Sequence, residues 1–191
     1  MSRDCFPYTD AANRPTGTVR AGIHASSMLP PGWADPHSRH LRTGRHSRSG
    51  QVYLVTFTTA GRNRYFRDAG LADAAVRAFL DPRLWTESGL LAWVLMPDHW
   101  HGLLELGDGD SLSRRIQSLK ANSARCVHRA GLVDARVWAT GFHDRALRSE
   151  EGLEDMARYL VLNPVRAGLV ARARDYPYWD AIWAKRNPGD S

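Results

Sequence analysis

The chain has 191 residues, enough for one domain with a real core. Its longest apolar run, residues 90–96, falls far short of the about 20 residues a membrane-spanning helix needs, and its polar start lacks a secretory signal; the expected location is the cytoplasm, with no membrane partner. A net charge of +6 and a pI near 9.8 favour polyanionic partners, because neutralising phosphates releases counterions.

Residues 1–36 carry Pro15, Pro30 and Pro31 with many Gly and Ser and no apolar period, so a disordered tail is expected. Residues 37–49 form a basic stretch containing Arg39, Arg42, Arg45 and Arg48, which is either a solvated tail or an arm that lies on DNA. Residues 52–57 read as an interior strand, apolar on both faces. Residues 68–85 read as a helix, with Leu71, Ala75, Ala78 and Phe79 at helical spacing and Gly89 closing it. Strands over 90–96 and 99–106 meet at Pro97-Asp98, which implies an antiparallel hairpin. Asp110 or Ser111 caps an amphipathic helix over 111–129, whose polar side carries Arg114, Arg115, Lys120 and Arg125. A fourth strand is expected over 142–148 and a further helix over 150–163.

This order is the α+β, ferredoxin-like (split βαβ) plan: an antiparallel sheet with helices, extended by a C-terminal helix that carries Tyr159. The expected domain spans 37–183, followed by a short tail over 184–191. Cys5 and Cys126 lack metal-ligand spacing, and no disulfide framework is expected.

His99 and His101 are two apart on a strand, so both imidazoles project from one face while Trp100 points to the other with Leu104 and Leu106. Such a pair can hold one divalent metal, or it can be two ordinary hydrogen-bonded histidines. Tyr159 and Asn163 are four apart and lie on the same side of their helix, flanking its apolar stripe. They read either as a phenol beside a metal with an amide oxygen that ligates it, or as a half-buried tyrosine and an N-cap for a short helix over 164–167.

Taken together, the segments Gly44-Arg45, Tyr53-Leu-Val-Thr-Phe57 with Arg62, Val94-Leu-Met-Pro-Asp-His-Trp-His101, residues 138–148, and Tyr159-Leu-Val-Leu-Asn-Pro-Val-Arg-Ala-Gly-Leu-Val170 resemble the REP-associated tyrosine transposases. These are a branch of the single-tyrosine HUH transposases, and the resemblance runs over about residues 39–183. It implies that His99 and His101 are the metal pair, Tyr159 the nucleophile and Asn163 the third protein ligand. It further implies a divalent cofactor, Mg²⁺ or Mn²⁺, and a single-stranded DNA substrate folded as a REP palindromic hairpin with a tetranucleotide at its foot. The expected chemistry is nicking and joining through a 5′-phosphotyrosine.

Arg42, Gly44 and Arg45 are expected to contact the hairpin foot, with Arg62, Arg114, Arg115, Lys120 and Arg166 as further DNA contacts. His143 and Asp144 match the family and are expected to support the metal pair from a second layer, although adjacent strand residues face opposite sides. A monomer or a homodimer fits equally. The competing readings are a non-catalytic, domesticated hairpin-binding protein and a replication-initiator or relaxase type of HUH nickase. A metal-dependent hydrolase barrel needs about 200 or more residues and further ligands on successive strands.

Overall fold

The computed structural model describes residues 49–147 and 152–186. Five strands, β1 (Val52–Thr58), β2 (Gly89–Met96), β3 (His99–Glu105), β4 (His143–Ala146) and β5 (Trp179–Ala181), form one sheet in the order β4-β1-β3-β2-β5. Every pairing is antiparallel. Helices α1 (Ala69–Phe79) and α2 (Leu112–Arg129) cover one face, and α3 (Leu153–Val161), followed by the short α4 (Asn163–Arg166), packs against the other. The first four strands carry the expected ferredoxin-like arrangement, and α3 is the added helix that bears Tyr159.

Alternation along the central strand β3 assigns its side chains to two cores. Trp100, Leu104 and, just beyond the strand, Leu106 join Phe57, Phe79, Ile116 and Leu119 under α1 and α2. The indole of Trp100 stacks on Phe57 with centroids 4.9 Å apart. It also covers Gly102, where a Cβ would come within 2.1 Å of the ring, so the strand needs glycine there. On the opposite face Leu103 packs with Leu54, Val94, Met96, Ala157 and Leu160.

The β2–β3 turn is clasped from outside. Thr59 donates its backbone N–H and its hydroxyl to the Asp98 carbonyl at 2.9 and 3.1 Å, and the Phe66 N–H reaches the Pro97 carbonyl at 3.1 Å. Between these anchors Arg62 adopts the left-handed region at φ 57°.

Several boundaries differ from expectation. Helix α1 stops at Phe79 rather than near residue 85. Pro82 disfavours helical geometry at Asp81, whose carboxylate instead caps a separate turn over Pro82–Leu84. Gly89 therefore closes no helix; it opens β2 opposite Glu105. Strand β5 was not anticipated, since three residues carry no readable period. It is held by the Tyr176 hydroxyl on the Leu95 carbonyl at 2.7 Å and the Leu95 N–H on the Tyr178 carbonyl at 2.9 Å. Cys126 is buried against Ala74 and Ala78; the chain's other cysteine, Cys5, lies outside the described residues. So do the expected tail and basic arm, with Arg42, Gly44 and Arg45, and the end of the fourth strand with the start of the tyrosine helix. Among the described residues no helix is long and apolar enough to cross a membrane.

Candidate active site: paired histidines beneath a tyrosine helix

The register places His99 and His101 on the face covered by α3. His99 lies between Thr58 and Met96, and His101 between Thr56 and Val94. Each is only 4% exposed. The two rings meet edge to face with centroids 4.6 Å apart.

Each ring is oriented through its Nδ1. His99 Nδ1 lies 2.6 Å from Asp98 Oδ1; a carboxylate partner makes that nitrogen the proton donor, so that in the neutral ring Nε2 carries the lone pair. His101 Nδ1 lies 2.6 Å from the Thr56 hydroxyl, while its Nε2 is buried with no hydrogen-bond partner among the described residues. Such an orphaned atom is costly unless something binds it. Burial, reinforced by the charges of His99, Arg166 and Arg62, holds the His101 pKa well below the ordinary histidine value. Its ring is therefore neutral at physiological pH, as a metal ligand must be.

Asp98 is shared between the turn and the site. Burial alone would raise its carboxyl, but the His99 hydrogen bond and the charges of His99 and Arg62 outweigh that, and its pKa lies below the usual carboxylate value. Arg62 Nη1 approaches Asp98 at 3.5 Å while its side chain stays 54% exposed. Neither Asp98 nor Thr56 was singled out by the sequence reading. The carboxylate directly before His99 was a visible signal, whereas Thr56 is adjacent only through strand pairing.

Tyr159 is half-buried on α3, the helix seated on the histidine face. Among the described residues its hydroxyl makes no hydrogen bond, which leaves the phenol oxygen unengaged. Asn163 is buried and does not cap α4 through its side chain, contrary to the alternative reading above. Its Nδ2 donates to the Leu160 carbonyl at 3.0 Å. Pro164 lacks the N–H that would normally serve that carbonyl, so the Asn163 amide stands in for it and carries the chain through the α3–α4 junction. Its Oδ1 accepts from Arg166 Nη2 at 2.9 Å. Among the described residues no third His, Cys, Asp or Glu joins the histidine pair.

The expected basic contacts divide. Arg62 and Arg166 both act electrostatically on His101. Arg114, Arg115 and Lys120 lie on α2, across the sheet from the histidines. Arg115 and Lys120 are moreover committed inside the fold, which corrects the expectation that they face DNA. Arg115 is 11% exposed, paired with Asp110 and bonded to the Leu84 carbonyl. Lys120 Nζ donates to the carbonyls of Ala139 and Gly141 at 2.6 and 2.7 Å. Burial, with the Arg136 charge, pulls its ammonium down to about 8.

Removing one partner of a buried pair strands the other charge. Arg115→Met is expected to destabilise the fold by about 3 kcal/mol and to leave affinity for a single-stranded hairpin oligonucleotide unchanged, as read by urea denaturation and a binding titration.

His143 occupies the same cross-sheet row as Thr56 and His101. Two strand spacings, about 10 Å, separate it from His101, with Thr56 between them. Asp144 pairs with Val55 and faces the α1–α2 side, so it cannot support the histidines. Alternation along the strand separates the two neighbours.

Fold and site thus define an α+β protein whose central strand presents a His-x-His pair to a tyrosine-bearing helix. A family model described as "Transposase IS200 like" matches residues 47–160, more than half of the chain, and the chain belongs to that family. It is 31% identical over 88 residues to a REP-associated tyrosine transposase of Escherichia coli (strain K12), covering 46% of this chain and 50% of that protein. It is 28% identical over 98 residues to a putative REP-associated tyrosine transposase of Haemophilus influenzae, covering 46% and 56%. The chain therefore spans about half the length of the curated relatives it matches. The structure of a REP-associated tyrosine transposase bound to a REP hairpin superposes with a TM-score of 0.56 at 24% identity, covering 71% of this chain and 79% of that one; the likeness is one of fold.

Proposed function

We propose that the chain is a metal-dependent, single-stranded DNA nicking and joining enzyme of the REP-associated branch, acting on REP-type palindromic hairpins through Tyr159. The observation that carries this reading is the common sheet face: the helix bearing Tyr159 packs on the side of the sheet that carries the two buried imidazoles, one of which has an Nε2 unpartnered among the described residues. The names of the relatives support the branch and the hairpin substrate.

Residues available for a divalent cation are His99 and His101 through Nε2 and, as third protein ligand, Asn163 through the second lone pair of Oδ1. The chain's own groups fit a cation, because both imidazoles have their Nδ1 engaged elsewhere. Mg²⁺ or Mn²⁺ is the expected ion; when bound it offsets the negative charge of the scissile phosphate and favours attack on phosphorus. Tyr159 Oη forms the new P–O bond as the bond from phosphorus to the 3′-oxygen of the preceding nucleotide breaks. The phenol proton leaves to water, and the departing oxygen takes one up as a 3′-hydroxyl. A later 3′-hydroxyl reverses the step and joins new ends without external energy.

In this reading Arg62 meets the phosphate backbone, Arg114 lies on the far face, and the 37–49 arm with Arg42, Gly44 and Arg45 completes a 37–183 working unit that acts in the cytoplasm as a monomer or homodimer. Because Asp98 and Thr56 orient the two rings, Asp98→Ala and Thr56→Val are each expected to weaken Mn²⁺ binding about 10- to 100-fold, measured by calorimetry.

The test of function incubates the full chain and Mg²⁺ with a labelled single-stranded hairpin oligonucleotide selected for binding. The expected result is a covalent adduct on a denaturing gel, abolished by EDTA. Tight binding with no adduct would instead identify a domesticated hairpin binder.

A further inference from the structure

Arg166 is exposed at its outer edge yet tied to Tyr159 and Asn163 at the same time. Its guanidinium lies 3.7 Å from the Tyr159 ring centroid, over the face of the ring. Its Nη2 donates both to Asn163 Oδ1 at 2.9 Å and to the Tyr159 carbonyl at 2.8 Å. The three residues occupy positions i, i+4 and i+7, so they line one side of the chain across the α3–α4 junction. That junction is a weak point. Leu162 leaves the helix, and Pro164 removes a backbone donor that Asn163 must replace. A planar, forked cation is the one side chain able to stack on a ring and hold an amide oxygen together.

We infer that Arg166 is a positioning residue that clamps the Tyr159 ring and the Asn163 amide into one unit over the histidine face. This role takes the place of the phosphate contact expected from the sequence and rests on the reading of Tyr159 as nucleophile. The clamp fixes which way the phenol oxygen points before DNA arrives. It also sets the rotamer of the amide whose oxygen is offered to the cation. A misplacement of about 1 Å at a reacting group can cost about 100-fold in rate, so loosening the clamp acts on the chemical step rather than on binding.

The experiment compares wild type, Arg166→Gln and Arg166→Lys, each as the full chain with confirmed native circular dichroism. Three quantities are read: the Kd for the selected hairpin oligonucleotide as a function of salt, the rate of adduct formation at saturating DNA, and the ¹⁹F resonance of 3-fluorotyrosine placed at position 159. In Arg166→Gln the saturated rate is expected to fall about 100-fold, with Kd and its salt slope unchanged and the ¹⁹F resonance displaced. Arg166→Lys keeps the charge but loses the fork and is expected to recover only part of the rate. Loss confined to Kd, with a salt slope reduced by about one, would make Arg166 a phosphate contact and overturn the clamp. An unchanged rate and resonance would overturn it as well. Should wild type form no adduct, the nucleophile reading has failed on its own, and the ¹⁹F resonance still decides the clamp: a displacement on Arg166→Gln sustains it, and an unmoved signal refutes it.

Discussion

Tyr159→Phe is expected to abolish the covalent protein–DNA adduct and to slow strand cleavage by on the order of 10⁴-fold or more, while hairpin affinity stays within about twofold of wild type. The substitution removes one atom, the phenol oxygen. It keeps the ring, and with it the face on which Arg166 stacks and the packing of α3 on the sheet. Because that oxygen makes no hydrogen bond among the described residues, its loss strands no partner and the fold is unaffected. The assay is a denaturing gel of end-labelled hairpin oligonucleotide, paired with an equilibrium binding titration. An adduct that persists in the variant would remove Tyr159 from the chemistry.

His101→Leu is expected to separate stability from metal binding. In wild type, Mn²⁺ at about one hundred times its Kd stabilises the folded state by about 2.7 kcal/mol. In the variant that increment vanishes and the adduct yield falls about 1000-fold, in line with the several kcal/mol a cation contributes to such a reaction. The metal-free variant is nevertheless expected to be as stable as wild type or about 1 kcal/mol more so. His101 Nε2 is buried without a partner, and an unsatisfied polar atom is costly to keep away from water. Leucine of similar size removes that penalty, offset in part by the Thr56 hydroxyl losing its contact. Thermal unfolding with and without Mn²⁺ provides the check. Undiminished stabilisation by Mn²⁺ would show that the histidine pair is not the site.

Much of the architecture was legible because it depends on short-range periods. A period of two separates Trp100 from His99 and His101, and burial of the indole against Phe57 then forces the imidazoles onto the other face. The 18-residue α2 was readable from its apolar stripe and its Ser111 cap, whose hydroxyl accepts from the Arg114 N–H. α1 ends earlier than its helical spacing suggests because a proline three residues after Phe79 outweighs the spacing beyond it. β5 was missed because its strand character comes from pairing with β2 rather than from its own three residues.

The arginines and the lysine illustrate a different limit. Arg115, Lys120 and Arg166 look alike in the sequence, as cations on helices. Tertiary structure gives Arg115 a buried carboxylate, Lys120 two loop carbonyls, and Arg166 an aromatic face with an amide oxygen. Only Arg166 of the three acts electrostatically on His101. Which cation meets which partner depends on segments far apart in the chain, and no local period encodes that.

By itself, the order of residues determined the succession of the first four strands and their helices, the shared face of His99 and His101, and the family through the matched stretch that holds Met-Pro-Asp-His-Trp-His. Tertiary structure decided that α3 covers the histidine face, that Thr56 and Asp98 set the ring orientations, and that Asn163 and Arg166 are bound to each other. The division is physical. Side-chain direction within one strand or helix follows from backbone geometry every two or three to four residues. A hydrogen bond between residues 45 positions apart, as between Thr56 and His101, exists only after the sheet has closed.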